Sequence, residues 1–451
     1  GAPPVDLPIA IPVDFDRLFN DEVEKSFTIV ITEDEWDNLD LEMRNYHSQF
    51  GNYRTDFYAK ADVIYTDSIG NVHITDIGFR TRGNLSRVRI QNDDGSPNLS
   101  HFKIKFNADF NPSNSKRRVF DVEELDMKFN RNHDDTYLTE KYSMDLFNDM
   151  GVFAAKTTLA KFYIQIGETT HFYGIYTIFE PIDNLFIQKR LDKVEAEGNL
   201  YKSLWQQFGP ANLGAGYHVN AIGIKDTSIN YRPAYDLKTN KKINDHTELI
   251  NFIKEINQRN GTNFKQYIEA NFDVSMFLKY LAVGVLLGNP DDYRAMGNNY
   301  YLYQNSATRK WMMIPYDYDH GLGQGWDGAQ VFSNWTVGAD IYKWGNLNGS
   351  MLNIENYPHP LVDKILKISE YQLEYEGYLR ELIDQEKNLF SHERFNTLFQ
   401  MQKSLYDDDV SSAMMSKRFG LRNTSWYFNA KINDIQSQLN YYEANPGLRG
   451  T

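Results

Sequence analysis

Up to Asp183 apolar residues recur mainly at alternate positions in short runs, and beyond it mainly at three- and four-residue spacing. The chain is therefore predicted to begin in strands and continue in helices. Phe27–Ile31 reads as a strand, and Thr32-Glu33-Asp34-Glu35 opens a helix as a capping box. Two strand-like runs between Phe57 and Phe79 flank Thr66–Asn71, whose Asp, Ser and Gly suit a turn. Phe102, Ile104 and Phe106 alternate with Lys103 and Lys105, which places both lysines on one face of a half-buried strand. Asp134, Asp135 and Thr136 are N-cap candidates for a helix with Leu138, Tyr142 and Leu146 on one face and Gly151 as its stop. Glu140 lies about 200° round from Leu138, off that stripe. Phe162–Ile166 and Phe172–Phe179 form a hairpin through Gly167–Thr170, ended by Glu180-Pro181-Ile182-Asp183.

Past residue 184 the pattern predicts helices over Leu185–Leu191, Asp245–Asn257, Phe264–Ala270 and Val274–Leu287, the last capped by Asp273. Only one hairpin is expected to interrupt them: Asn299–Tyr303, a polar turn at Gln304–Ala307, and Trp311–Ile314. After polar loops over residues 320–350, Leu361, Ile365 and Leu366 begin one amphipathic helix, and Leu379, Leu382 and Ile383 belong to the next. The expected organisation is an extended arm over residues 1–20, a β-rich lobe over 21–183 and a mainly helical lobe over 184–451, with the site hairpin at 289–319. The fold class is α+β, strands first and helices second.

That hairpin also carries the chemistry. In an antiparallel pair the residues entering the first strand lie beside those leaving the second, so Asp291, Asp292, Asn298 and Asn299 should approach Asp317 and Asp319. Carboxylate and amide oxygens gathered in this way suit a hard cation such as Mg²⁺. Taken singly, each is equally a turn or cap residue.

Composition narrows the choices. The chain has 451 residues and a formal net charge of −14, which disfavours nonspecific binding to nucleic acid or anionic membrane. Arg80, Arg82, Arg87, Arg89, Lys103 and Lys105 supply a local basic cluster for an anionic ligand, or else a solvated face balancing nearby Asp. Zero cysteines remove disulfides, zinc–thiolate sites and thiol nucleophiles. No His pair has zinc-binding spacing, there is no G-x-S-x-G elbow, and no apolar run reaches the length of a membrane span. Trp326, Trp335 and Trp344 would serve as stacking platforms in a glycoside hydrolase, but the lysine strand then has no task. Asp407–Asp409 and Asn92–Gly95 read as solvated turns.

Asn289-Pro290-Asp291, Asn299-Tyr300-Tyr301-Leu302-Tyr303 and Ile314-Pro315-Tyr316-Asp317-Tyr318-Asp319 together resemble the core signature of the spore-coat protein H (CotH) kinase family. Arg80-Thr81-Arg82-Gly83-Asn84, the basic strand Phe102–Phe106, Tyr173–Asp183 and Gly198-Asn199-Leu200-Tyr201-Lys202 resemble further family elements in the same order. The resemblance implies a two-lobed, protein-kinase-like fold and transfer of the ATP γ-phosphoryl group to Ser or Thr of a protein. It implies Asp291 as the residue that orients or deprotonates the acceptor hydroxyl, and Asn299, Asp317 and Asp319 as ligands for Mg²⁺, with Mn²⁺ the alternative. Lys103 or Lys105 would pair with the α and β phosphates, with Glu140 fixing that lysine, and Arg80, Arg82, Glu180 and Lys202 would line the nucleotide. The glycine loop G-x-G-x-x-G is missing near the N-terminus, H-R-D and D-F-G are absent, and Gly321–Gly325 reads as a substrate-side loop. The implied setting is exported, spore-coat or cell-surface, with a secretion signal removed, and a cytoplasmic one stays compatible. The rival expectation is a non-catalytic coat or surface module of the same fold. Acceptor and oligomeric state are not legible.

Overall fold

A computed structural model describes residues 11–324, 336–344, 357–421 and 424–450. The chain divides into two compact units, one comprising Gly1–Arg131, Lys156–Pro181 and Gln400–Phe419, the other Asn132–Ala155, Ile182–Phe399 and Gly420–Thr451. The step near residue 183 is thus one of several crossings. The helix bearing Glu140 groups with the second unit and a late segment returns to the first.

The first unit is a closed barrel of β1 (Ser26–Ile31), β2 (Ala59–Thr66), β3 (Asn71–Thr81), β4 (Phe102–Lys105), β5 (Glu124–Lys128), β6 (Thr157–Ile166) and β7 (Thr169–Phe179). Its order is β1-β2-β3-β4-β5-β7-β6, closed by parallel pairing of β1 with β6. Alternation along β1, β2 and β4 sends Phe27, Ile29, Val63, Phe102 and Ile104 into one core, where Phe102 stacks on Phe79 and Phe162. Glu33–Phe50 follows β1 as a helix: Thr32 Oγ1 accepts the Glu35 N–H at 3.1 Å, and Gly51 ends it at φ +77°. Only half of the capping box forms, because the Glu35 carboxylate instead accepts the Lys60 N–H. The arm is not wholly extended: Phe15–Leu18 is a helical turn capped by Asp14, and residues 1–10 lie outside the described residues.

The second unit is mainly helical, but a five-stranded sheet runs through it, against the expectation of a lone hairpin. β8 (Leu200–Ser203), β9 (Ile222–Gly223), β10 (Tyr235–Leu237), β11 (Tyr300–Gln304) and β12 (Trp311–Pro315) order as β12-β11-β8-β10-β9. β8, β9 and β10 are too short to show a period of two, so their strand character comes from pairing alone. β11 and β12 are buried along their whole length. Val274–Leu287, capped by the Asp273 carboxylate on Met276 N, is buried at nearly every position and ends at Gly288 with φ +69°. The predicted Leu185–Leu191 helix is shorter, Asn184–Gln188, and the 245–257 helix is observed at Thr247–Gln258. The mixed α+β class holds. Among the described residues, no helix is long and apolar enough to cross a membrane.

Candidate functional site

β11 and β12 pair from Tyr300↔Pro315 to Gln304↔Trp311, so the residues just before Tyr300 and just after Pro315 meet at one end of the hairpin. Asn289 Nδ2 donates to Asp317 O at 3.3 Å, Asn298 Nδ2 to Asp291 Oδ1 at 2.9 Å, and Asn299 Nδ2 to Asp291 O at 2.9 Å. Asn299 (φ +58°) and Asp317 (φ +59°) both adopt the left-handed conformation, which side chains other than Gly reach at a cost. Asn and Asp tolerate it best, and such residues concentrate at functional sites.

Glu140, Asp317 and Asp319 each present a carboxylate oxygen, and the three oxygens lie within 4.8 Å of one another. The grouping follows from packing. Phe147, on the Glu140 helix, meets Tyr318 edge-on at 5.0 Å and stacks on Tyr280 of the 274–287 helix at 5.8 Å. Tyr318 is fully buried, while its neighbours Asp317 and Asp319 remain part-exposed. Three carboxylates form a donor set suited to a hard divalent cation, so these residues fit Mg²⁺ or Mn²⁺. The resemblance implied that Glu140 fixes a lysine, and its place off the apolar stripe also suited a solvated glutamate; here it stands with the predicted metal residues.

Partial enclosure pushes the Asp291 carboxyl up to about 6, helped by the charges of Asp317 and Asp319 and opposed by His320 and the Asn298 amide. That moves it towards the range useful to a base acting near neutral pH. His320, which no motif singled out, lies with Nε2 3.5 Å from Asp319 Oδ1 and Nδ1 3.3 Å from Asn132 Nδ2. Its one sequence signal is adjacency to Asp319. Asp292, expected at the same cluster, instead caps the Tyr293–Met296 turn: Oδ1 accepts Ala295 N–H at 2.7 Å and Oδ2 accepts the Trp344 indole N–H at 3.1 Å. Trp344 is buried, so it cannot be a sugar-stacking platform; Trp326 and Trp335 lie outside the described residues. Lys202, on β8, sits 4.9 Å over the ring of Tyr316, one residue before Asp317.

The other basic candidates belong to the first unit. Lys103 Nζ is 3.1 Å from both Glu124 and Asp126, which β4–β5 register sets opposite or diagonal to it. Burial opposes the charged ammonium, but Asp126 and Glu124 outweigh it, so the Lys103 pKa is raised and the lysine stays charged. Arg82 lies 3.2 Å from Asp126, and Arg80 lies 3.5 Å from Asp56 and bonds Thr81 O. Lys105 rests 5.5 Å over the Tyr58 ring. Glu180 is buried and accepts Lys156 N–H at 3.1 Å, while its own N–H returns to Lys156 O, a clamp across the ends of β6 and β7.

A family model described as CotH kinase protein matches residues 79–437. Inner spore coat protein H of Bacillus subtilis (strain 168) is 24% identical over 202 residues, 45% of this chain and 51% of that protein. The match therefore spans about half the length of that relative. Among solved structures, the Helicobacter pylori proinflammatory kinase CtkA aligns at 11% identity and TM-score 0.29, over 72% of this chain and 92% of its own. The HipA chain of a HipA, HipB and operator DNA complex from the Shewanella oneidensis MR-1 toxin–antitoxin system aligns at 10% identity and TM-score 0.29, over 71% of this chain and 59% of that one.

Proposed function

The chain belongs to the CotH kinase protein family, and from that premise we propose that it transfers the γ-phosphoryl group of ATP to Ser or Thr hydroxyls of a coat- or surface-associated protein. The observation that carries the reading is the meeting of Asp291 with the Glu140–Asp317–Asp319 cluster at one end of the β11–β12 hairpin. Phosphoryl transfer asks a protein for positioning and charge more than for covalent chemistry. Asp317, Asp319 and Glu140, with Asn299, would hold Mg²⁺, or Mn²⁺ in its place. A cation held by these residues would supply charge neutralisation for the phosphates.

Asp291 orients the acceptor hydroxyl and takes its proton as the acceptor oxygen bonds to the γ-phosphorus. The bond to the β–γ bridging oxygen breaks and ADP leaves. Asn298 holds the Asp291 carboxylate, and Asn299 ties the Asp291 carbonyl. Lys202, which sits over the ring of Tyr316 beside Asp317, carries charge for the phosphates; Glu180 serves better as the buried clamp described above. The spore-coat relative supports a coat-associated setting for the acceptor.

The test is Mg²⁺-dependent ATP binding and phosphate transfer to a protein acceptor, comparing wild type with Asp291→Asn and Asp317→Asn. Transfer by wild type that both folded variants lose supports the reading. A folded wild type that neither binds nucleotide with metal nor transfers phosphate leaves the non-catalytic module in its place.

A further inference from the structure

We propose that Asp292 and Trp344 are positioning residues for Asp291, with residues 336–344 acting as a strut between the final helix and the loop that carries that carboxylate. The inference rests on the kinase reading and deepens it.

Three contacts join the strut to the loop. The Trp344 indole N–H donates to Asp292 Oδ2 at 3.1 Å, with Trp344 fully buried and Asp292 2% exposed. Arg294 donates to Ile341 O, a carbonyl that also accepts the Tyr375 hydroxyl at 2.7 Å. Gly288, where the loop begins, faces Thr336: a Cβ there would lie 3.1 Å from Thr336 Oγ1 and 2.3 Å from the Tyr427 hydroxyl. On its other side the strut is fixed by Thr424–Ala444. Lys431 Nζ donates to Thr336 O at 2.6 Å and Val337 O at 3.3 Å, and Gln438 accepts Ile341 N–H at 2.9 Å while donating to Ala339 O at 3.0 Å.

Asp292 passes this constraint on. Its Oδ1 accepts Ala295 N–H, and its carbonyl accepts Met296 N–H at 3.0 Å and Asn298 N–H at 3.4 Å. Asn298 then bonds Asp291 Oδ1. Both Asp292 oxygens accept from fixed N–H donors, a demand an amide cannot meet, having one acceptor oxygen. Burial pushes the Asp292 carboxyl up to about 7, against the Ala295, Arg294 and Trp344 contacts that favour its charged form. The phosphoryl transfer assigned above makes no use of this enclosed carboxylate, and supporting its neighbour gives it a task.

The experiment measures kcat, KM for ATP and melting temperature for wild type, Trp344→Phe and Asp292→Asn, with rates taken well below each melting temperature. Trp344→Phe keeps a ring and loses the N–H; Asp292→Asn keeps the shape and turns an NH₂ onto one of two donors. Each is expected to lower kcat about 10- to 100-fold with KM for ATP within about twofold, because misplacing a reacting group costs rate more than binding. If Trp344→Phe does not fold, the near-isosteric Asp292→Asn gives the same readout. Unchanged kcat in a folded variant, or a loss that only tracks the folded fraction, overturns the positioning role while wild-type transfer keeps the kinase reading. Absence of transfer by folded wild type overturns the kinase reading itself, and the positioning role with it.

Discussion

Asn298 donates its side-chain amide to Asp291 Oδ1 at 2.9 Å while its own carbonyl oxygen accepts Trp205 N–H at 2.8 Å, so the amide is held at both ends and fixes the plane of the carboxylate. Asn298→Ala should lower phosphate transfer about 10- to 100-fold and cost about 1 kcal/mol of stability through the stranded Trp205 N–H. Asn298→Asp should be worse, since it sets a like charge against Asp291. Initial rates beside urea melts separate the two effects. An alanine variant that keeps half the wild-type rate would show that Asp291 needs no such support.

The cation cluster makes a prediction of opposite sign for stability and binding. Glu140, Asp317 and Asp319 crowd three carboxylates within 4.8 Å, so deleting one negative charge relieves repulsion when no metal is present. Glu140→Gln and Asp317→Asn should therefore melt higher than wild type in chelator, by on the order of 1 kcal/mol, and lose most of the melting-temperature rise that Mg²⁺ or Mn²⁺ gives wild type. A wild-type melting curve indifferent to both metals would sink the cation site.

The convergence of Asp291, Asn298 and Asn299 with Asp317 was legible because a hairpin is a local object: a turn at Gln304–Ala307 and two β-prone runs determine which residues share an end. The company of Glu140 was not. Its helix shows which face is apolar, but that Phe147 meets Tyr318, and so carries Glu140 towards Asp317, depends on packing between segments far apart in the chain. The same reason put this helix in the strand-rich half by chain order, although it groups with the second unit. Asp292 shows the reverse error. It lies beside Asp291 in sequence, yet the Tyr293–Met296 turn directs it to Ala295 and Trp344.

Gly198 tests the sheet that supports the hairpin. A Cβ on Gly198 would lie 1.7 Å from the backbone oxygen of Gln304, at the end of β11. Backbone cannot swing aside as a flexible side chain does, so Gly198→Ala should force β8 and β11 apart at that end. The expected loss is about 2 to 4 kcal/mol, read from chemical denaturation. A variant as stable as wild type would mean that the chain at Gly198 can shift without disturbing the β8–β11 ladder.

Lys431 yields a pH prediction with a definite sign. Burial pushes its ammonium down to about 7, with the charge of Asp434 pulling the other way, while the unfolded chain keeps a lysine near the usual value of about 10.4. Between those values the unfolded chain binds more protons, so this residue's contribution to stability rises with pH across the window and its cost is fully present below about pH 7. A neutral amine still has two N–H donors for Thr336 O and Val337 O. Urea denaturation at pH 7 and pH 9 should show wild type gaining about 2 kcal/mol on Lys431→Met. The variant's lost bonds to the two carbonyls set the size of the gap at either pH, so the slope is the diagnostic quantity. A gap independent of pH would mean that Lys431 stays charged in the folded chain. Residues 336 and 337 would then be held by a cation 5.9 Å over the Trp344 ring, not by a neutral donor.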